Sequence, residues 1–341
     1  MALRSELLKS FKYRLFKLNC KMKRLMRNPR FAKEAQSYEL MLQDNLASPA
    51  LYQAGKFWAE LNRHYVDLIW GGGLVDLRNQ YFNRTFSGPE PESRQVYRAL
   101  LFMYYQKIRA IDLDNFLETE SEPTIGGAAD QEILFGRAFS LDFLQSVEEA
   151  YRIREAWKMS GKSGFPNVIV ELGAGYGRLA YVCRKMMPNC SYVILDLPEA
   201  LTCASSWLPR VLAETEVVPY ATTRNVKKFS RADLLKTKVW PLGAHQIESI
   251  ENGSVDAFVN IYSFAEMPKA SIDNYFSHVD RLTRGVFYSK QRVLEVNKYD
   301  NVSIGKNDYP IKPHWKLLYT TTSSLYDNFY ETAYAVNCID I

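Results

Sequence analysis

The first apolar pattern along the chain lies in residues 1–31. Apolar residues recur every three or four positions from Leu3 to Leu25, and Lys and Arg occupy most of the positions between them. A repeat of this kind places the apolar side chains on one face of a helix. The pattern predicts a basic amphipathic helix. This helix either packs on the protein or on a second copy in a homo-oligomer, or lies at the surface of a membrane.

Residues 32–160 contain helical periods separated by aromatic-rich loops. Three helices are predicted, around 49–69, 91–110 and 139–160. We therefore expect this region to be an α-helical accessory domain or lid. The turn-forming loop 122–128 either connects two helices or approaches a ligand.

After a boundary loop at 161–166, apolar strands alternate with helices. This alternation predicts parallel βαβ units. The predicted fold class is α/β, with a doubly wound, mostly parallel sheet over 161–341 and a closing antiparallel hairpin within 315–341. Residues 212–238 are interpreted as an insertion in which 217–220 forms a short strand. The predicted strands are 168–170, 192–195, 239–242, 255–261 and 286–289, and the predicted helices are 178–187, 199–211 and 271–284.

The charge of the chain is concentrated at its beginning. The 341 residues carry a net charge of +5, but residues 1–31 contain ten Lys or Arg and one acid, Glu6. That segment therefore carries +9 and the remainder of the chain −4. Because neutralising phosphates requires many cations, we do not expect the main body of the protein to bind nucleic acid.

The cysteines indicate a reducing compartment. There are five of them, an odd number without CxxC or Cys/His metal spacing, so neither a disulfide framework nor a metal site is predicted. No apolar run reaches the length of roughly 20 residues that a membrane-spanning helix needs. We therefore expect a cytoplasmic protein, with contact at the inner face of a membrane through residues 1–31 as the alternative.

The most informative motif is the turn Glu171-Leu172-Gly173-Ala174-Gly175-Tyr176-Gly177. It follows an apolar strand and precedes an amphipathic helix, and its glycines permit positive φ and a close approach of the backbone to a ligand. Glu171 lies two residues before the first glycine. A carboxylate there suits a positively charged amino group, whereas a pyrophosphate would gain nothing from it.

The next strand ends in Asp196, which is followed by Leu197 and Pro198. An acid at this strand end can accept hydrogen bonds from both hydroxyls of a ribose. Taken alone, an Asp before a Pro also suits the start of a helix. The glycine turn nearby favours the ribose interpretation.

Three segments together indicate a family: residues 170–179, Asp196-Leu197-Pro198, and residues 260–267 with the sequence NIYSFAEM. The domain resembles the class I Rossmann-like S-adenosylmethionine methyltransferases. Residues from about 120 onward resemble the sugar O-methyltransferase family. The resemblance implies S-adenosylmethionine as the cofactor and a hydroxyl of a sugar or glycan precursor as the methyl acceptor.

The resemblance also implies which residues bind the cofactor. His245 or Gln246 would lie near the adenine, at a position where many members of the superfamily carry an acid that this chain lacks. The implied cofactor-binding residues are Glu171, Gly173, Gly175, Tyr176, Asp196, Leu197, His245, Gln246 and Asn260.

A hydroxyl acceptor requires a group that removes its proton, and two residues are candidates for this base. Glu266 lies about one turn beyond the fourth strand, where it either acts as the base or complements the dipole of the following helix. His314 lies on a loop before the final hairpin and is either a base or a structural residue. His64 and His278 show no sign of a catalytic role, and no metal is predicted.

Three classes of function are open at this point. The protein is a sugar O-methyltransferase, a methyltransferase for another small metabolite such as a natural-product hydroxyl, or a non-catalytic protein that binds the cofactor. The abundance of aromatic residues, with 22 Tyr, 18 Phe and 6 Trp, suits an acceptor ring, since sugars and flat rings both stack on aromatic faces.

Overall fold

The computed structural model describes residues 32–71, 73–78, 94–127 and 130–337. The basic amphipathic helix predicted for residues 1–31 lies outside these ranges. No helix within them combines the length and the apolar character needed to cross a membrane.

A seven-stranded sheet forms the centre of the fold. Its parallel strands are buried on both faces, which explains why most of their residues are apolar. A separate small hairpin precedes the sheet and consists of β1 (Glu132–Leu134) and β2 (Arg137–Phe139). The five parallel strands of the sheet are β3 (Val168–Leu172), β4 (Ser191–Asp196), β5 (Val239–Gly243), β6 (Val255–Ile261) and β7 (Thr283–Arg292).

An antiparallel pair closes the sheet. A second small hairpin, β8 (Leu294–Asn297) and β9 (Val302–Gly305), comes between β7 and this pair, β10 (Lys316–Thr322) and β11 (Phe329–Ala335). The order across the sheet is β10-β11-β7-β6-β3-β4-β5, and β11 runs antiparallel to both of its neighbours. The strand order reverses between β3 and β6, which is where ligands bind in sheets of this kind. The predicted α/β, Rossmann-like fold with a closing hairpin is confirmed.

Helices cover both faces of the sheet. Successive residues of β3 point to opposite sides: Ile169 belongs to one hydrophobic cluster, and Val168 and Val170 belong to the other. The longer helices are α1 (Ala32–Leu46), α2 (Lys56–Gly71), α3 (Arg94–Arg109), α5 (Leu141–Met159), α6 (Arg178–Met186), α7 (Pro198–Val211) and α10 (Lys269–Leu282). The helices of a single turn are α4 (Phe116–Thr119), α8 (Tyr220–Thr223) and α9 (Arg231–Leu234).

Helix α5 packs directly on the sheet although the sequence analysis assigned it to the accessory region. Ser140 caps its beginning by accepting a hydrogen bond from the backbone N–H of Phe143 at 3.1 Å. Most of its residues are buried between α6 and the strands β7, β10 and β11. The division of the chain at 161–166 stays a prediction.

The structure differs from the prediction for the insertion, residues 212–238. The strand predicted for 217–220 is reduced to a single parallel bridge between Val217 and Val239. Pro219 has no N–H to donate to a ladder, and Tyr220 begins the short helix α8. The helix predicted from residue 49 also begins later, because a short 3₁₀ turn, Ala50–Tyr52, precedes the start of α2 at Lys56.

A group of charged side chains is buried beneath the end of β7. Lys290 is fully buried, with Nζ lying 3.2 Å from Glu149 Oε1 and 3.4 Å from Glu331 Oε1. Burial opposes its positive charge, yet the oxygen-bearing groups around it hold the pKa of Lys290 well above its ordinary value. Arg178 and Glu149 form a further pair at 3.1 Å, which joins α5 to the helix after the glycine turn.

Candidate functional site

A cleft lies at the carboxyl ends of β3, β4 and β6, where the strand order reverses. It encloses about 780 Å³ of empty space, including open solvent at its mouth. Gly173 and Gly175 border the cleft on the side of the sheet. The opposite side is formed by residues 51–55 and Trp58, and residues 51–58 are called the roof segment below. The cleft thus brings together two parts of the chain more than 110 residues apart.

The glycine turn can approach a ligand because its backbone is left-handed at each glycine. Gly173, Gly175 and Gly177 have φ angles of 79°, 59° and 88°. Gly173 also packs closely on the loop after β6, since a Cβ added to it would lie 2.3 Å from Ser263 Oγ. A side chain at position 173 would therefore displace that loop.

This contact gives a prediction for Gly173→Ala. Gly136 provides a matched control, because its φ is also +79° but a Cβ there meets nothing within 4 Å. Both variants have the same backbone strain, so the difference between them isolates the overlap with Ser263. We expect Gly173→Ala to lower the free energy of unfolding by about 1 to 3 kcal/mol more than Gly136→Ala in denaturant titrations. Equal losses would show that the loop after β6 moves away without cost.

Asp196 is held with both carboxylate oxygens toward the backbone. Oδ2 accepts the N–H of Gly175 at 2.8 Å, and Oδ1 accepts the N–H of Leu197 at 2.7 Å. Its side chain does not cap the following helix α7, whose N-cap is Leu197. Burial raises the pKa of Asp196 to about 7, and the two backbone donors partly oppose that shift. Each oxygen has a second lone pair with which to accept a ligand hydroxyl.

Glu266 reaches the cleft from the loop after β6. The strand ends at Ile261, and Tyr262 turns the chain with a left-handed φ of 67°. Oε2 of Glu266 accepts a hydrogen bond from Trp58 Nε1 at 3.1 Å. Among the described residues its carboxylate makes no hydrogen bond to the first turn of α10. Both the base role and the helix-dipole role of Glu266 stay predictions.

The environment of Glu266 favours the protonated form of its carboxyl. Burial raises the pKa of Glu266 to about 8, and the charge of Glu295 adds to this shift. The hydrogen bond from Trp58 and the charge of Arg292 act in the opposite direction. A positive charge beside the group would lower this pKa and favour the carboxylate, which is the form that can accept a proton.

Three implied cofactor residues lie behind the cleft rather than on it. Glu171 is buried and accepts a hydrogen bond from the Tyr192 hydroxyl at 2.8 Å, and burial raises its pKa to about 8. Tyr176 donates to Asp142. Asn260 donates to the Leu172 carbonyl at 2.9 Å. Within the described chain, the hydrogen bonds of these three residues join other protein groups around the glycine turn. Direct contact of each residue with a cofactor stays a prediction.

The remaining cofactor-binding residues predicted from the sequence do not all border the cleft. Leu197 borders the cleft, and so does Ala244, while neither His245 nor Gln246 belongs to its described lining. Gln246 is buried, accepting the Gly243 N–H at 2.9 Å and donating to the Thr223 carbonyl at 2.9 Å. Burial lowers the pKa of His245, partly opposed by Asp44. The adenine contact of His245 or Gln246 stays a prediction.

His314 is not brought to the cleft. Its Nε2 lies 2.7 Å from Asp280 Oδ1 on α10, and the same oxygen accepts a hydrogen bond from Trp315 Nε1 at 2.8 Å. Trp315 is buried against Phe276 on the outer side of the sheet. The described position of His314 therefore supports the structural interpretation. His278, for which no catalytic role is predicted, is buried with its Nε2 2.9 Å from the Tyr52 hydroxyl.

The roof segment is the part of the site that the sequence analysis missed. Trp58 and Tyr52 border the cleft from the accessory region, which the sequence analysis described only as helical or as a lid. The break Gln53-Ala54-Gly55 before a Trp-containing helix was the available signal, and it resembles an ordinary helix boundary.

The ionisable groups of the cleft favour a cation over an anion. Its described lining contains two acids, Asp196 and Glu266, and no Lys, Arg or His. Both carboxyl groups ionise more readily beside a positive charge, whereas the lining offers a pyrophosphate no cation with which to pair. Within the described part of the chain, no cluster of His, Cys, Asp and Glu has a metal-binding arrangement.

Comparisons with known proteins give similarity in structure only. No protein-family model matches the chain, and no curated protein matches it. A geranyl diphosphate C-methyltransferase from Streptomyces coelicolor A3(2) is 14% identical, with a TM-score of 0.36 over 57% of this chain and 81% of that chain. A Galdieria sulphuraria protein assigned to the sarcosine dimethylglycine methyltransferases is 13% identical, with a TM-score of 0.40 over 57% of this chain and 89% of that chain. The bifunctional kinase-methyltransferase WbdD is 17% identical, with a TM-score of 0.37 over 56% of this chain and 39% of that chain.

Proposed function

We propose that this protein is an S-adenosylmethionine-dependent methyltransferase that acts on a hydroxyl of a sugar or another small ring. The observation that carries the proposal is the cleft at the switch point, which joins a glycine turn and a strand-end acid to a lining with no described cation. S-adenosylmethionine carries a sulfonium and an amino group, so its positive charges suit this lining. The two charges of a dinucleotide's pyrophosphate do not.

Different residues of the cleft would contact different parts of the cofactor. Asp196 would accept hydrogen bonds from the ribose hydroxyls, with its orientation fixed by the N–H groups of Gly175 and Leu197. The backbone of Gly173 and Gly175 would approach the methionine portion. Leu197 and Ala244 supply apolar surface at the end where the adenine would lie. When bound, the cofactor supplies an electrophilic methyl group on sulfur.

Glu266 is the group placed to remove the acceptor's proton. With Oε2 engaged by Trp58, Oε1 is the oxygen proposed to take a proton from the acceptor hydroxyl. The proton passes to Glu266 as the new carbon–oxygen bond replaces the carbon–sulfur bond, whose electron pair stays on sulfur. No second base is needed for this balance of atoms and charge.

Cofactor affinity tests the proposal through Asp196→Ala. Removing hydrogen bonds to a charged carboxylate is expected to weaken S-adenosylmethionine binding by about 1.5 to 3 kcal/mol. Isothermal titration calorimetry measures this loss, and NAD should bind the wild-type protein far more weakly. Asp308→Ala is a matched control, because Asp308 also accepts a backbone N–H, that of Gly305 at 2.7 Å, but does not belong to the described lining of the cleft. Wild-type protein that does not bind S-adenosylmethionine would end the assignment.

The acceptor class is tested separately. Transfer of a labelled methyl group would exclude a non-catalytic binding protein. Mass spectrometry and nuclear magnetic resonance of glycans from a strain lacking the gene would then distinguish a sugar acceptor from another metabolite. A methyl ether that disappears from the glycans supports the sugar assignment, whereas unchanged glycans with a missing methylated metabolite would move it to another small molecule.

A further inference from the structure

Trp58 joins the accessory region to the proposed base. It lies near the start of α2, borders the cleft and donates its indole N–H to Glu266 Oε2 at 3.1 Å. A hydrogen bond to one oxygen restrains rotation of the carboxylate. The contact therefore links the orientation of Glu266 to a residue more than 200 positions earlier in the chain.

The position of Trp58 is itself fixed by the small hairpin β8–β9. Asp300 in its turn accepts the backbone N–H groups of Lys56 and Phe57 at 2.8 and 3.0 Å, which anchors the beginning of α2. On the same hairpin, Asn297 donates to the Glu266 carbonyl at 3.2 Å. One hairpin thus holds both the helix that carries Trp58 and the loop that carries Glu266.

Aromatic side chains surround the indole. Tyr65 stacks on it with ring centres 6.4 Å apart, and Phe57 contacts it edge-on at 5.8 Å. Phe57 in turn contacts Tyr299 of the hairpin at 5.8 Å. Packing on several sides keeps the half-buried indole in place beside the cleft, so a ligand can stack without first ordering it.

We propose that Trp58 and Glu266 form the acceptor subsite, in which the indole bears a hydroxylated six-membered ring and positions the carboxylate that takes the proton from one of its hydroxyls. The inference rests on the proposed function and specifies its acceptor as a ring, either a pyranose or a phenol. An acyclic polyol offers the same hydroxyls but no rigid face to stack on the indole. We therefore expect the subsite to bind a cyclic acceptor more tightly than an acyclic polyol.

Ligand binding can be tested without turnover by fluorine nuclear magnetic resonance. The full-length protein, labelled with 5-fluorotryptophan at its six Trp residues and saturated with S-adenosylhomocysteine, is titrated with methyl β-D-glucopyranoside, with phenol or with sorbitol, so that a pyranose, a phenol and an acyclic polyol are compared. Loss of one signal in Trp58→Phe assigns the Trp58 resonance. We expect at least one of the two ring compounds to shift that resonance and sorbitol to leave it unchanged, with the distant tryptophans as internal controls. A Trp58 resonance that neither ring compound shifts would overturn the subsite.

Two variants measure the contribution of the indole surface. Trp58→Leu should weaken binding of the ring compound by about 10-fold, because the stacking surface is lost. Phe165→Leu is the control: Phe165 is a partly exposed aromatic residue just before β3, at the opposite end of that strand from the cleft, so the affinity of this variant should stay within about 2-fold of the wild type. Equal effects of the two variants would show that Trp58 only supports the fold.

The positioning role has its own readout. Trp58→Phe keeps an aromatic ring but removes the N–H that lowers the pKa of Glu266. In protein with ¹³C-labelled glutamate, assigned by Glu266→Gln, the titration midpoint of Glu266 should therefore rise above that of the wild type. An unchanged midpoint would show that the hydrogen bond does not act on the carboxylate.

Failure of this inference differs from failure of the proposed function. If calorimetry detects no S-adenosylmethionine binding by the wild-type protein, the methyltransferase assignment fails and the subsite fails with it. If the cofactor binds but both ring compounds leave Trp58 unchanged, the assignment stands and the acceptor subsite lies elsewhere.

Discussion

Glu266→Gln is expected to slow methyl transfer by about 100-fold or more while leaving cofactor affinity close to the wild-type value. Glutamine keeps the shape of the side chain and can still accept the hydrogen bond from Trp58. It cannot take a proton, and general-base catalysis typically contributes about 10²- to 10⁴-fold to a rate. Single-turnover transfer of a labelled methyl group measures the loss, and calorimetry measures the affinity.

The pH dependence provides a second test of the same residue. A base acts only when unprotonated, so the rate should rise as the pH rises through the pKa of Glu266. The surrounding protein groups raise the pKa of Glu266 to about 8, and the profile of kcat/KM for the cofactor should show a midpoint near this value. The profile of kcat reports the loaded enzyme, where the positive cofactor favours the carboxylate and moves the midpoint lower. Near-wild-type turnover in Glu266→Gln, together with a collapse in His314→Ala, would transfer the role to His314.

Lys290→Met is expected to lower the free energy of unfolding by about 3 to 5 kcal/mol. Methionine has a similar length, but its replacement of the buried cation leaves Glu149 and Glu331 without the ammonium group that lies within 3.4 Å of each. Glu149 keeps Arg178 at 3.1 Å and Glu331 keeps Arg152 at 3.7 Å, but without Lys290 the cluster carries an excess of buried negative charge, which accounts for the size of this loss. Denaturant titration at neutral pH measures it.

Lys269→Met is the matched control for Lys290→Met. Lys269 forms an exposed ion pair with Asp273 at 3.3 Å on α10, and exposed pairs contribute little because water screens them. The control should therefore change stability by no more than about 0.5 kcal/mol. Similar losses in the two variants would mean that water enters the Lys290 cluster and solvates its acids.

The central sheet could be predicted from the sequence because of its burial. Strands such as β3 and β6 are buried along their whole length, so apolar residues occupy most of their positions. The sequence predicted that β6 ends at residue 261 and that β4 ends at the acid Asp196, and the observed strand ends agree to within one residue. The glycine turn could be located because its left-handed backbone requires glycine.

The two small hairpins could not be predicted in the same way. In β8, Leu294 and Val296 are exposed and Asn297 is buried, which reverses the usual relation between polarity and burial. Its contribution to the site comes from Asp300 and Asn297, whose partners are α2 and the loop after β6. Those contacts join segments separated by more than 240 and about 30 residues. No local pattern encodes the longer of them.

The candidate site was predicted in part for a related reason. Asp196 and Glu266 follow strand ends, so the topology alone sends them to one edge of the sheet. Glu171 is expected to meet a ligand's amino group, but within the described chain its side chain accepts a hydrogen bond from Tyr192 and does not border the cleft, so that contact stays a prediction. Spacing from a glycine identifies a strand end but does not determine on which side of it a carboxylate lies.

Because the roof segment forms one side of the cleft, a bound ligand would couple the stability of α2 to that of the sheet. Residues 51–58 and the glycine turn belong to distant parts of the chain, and a molecule in the cleft would contact both. Its binding energy would then add to the cohesion between α2 and the sheet, by RT ln(1 + [L]/Kd) at free ligand concentration [L]. Amide hydrogens of α2 should accordingly exchange with solvent more slowly when the cleft is filled. Ligand binding in the cleft would therefore be detectable as slower exchange in α2, a helix that the sequence predicts to belong to the accessory region.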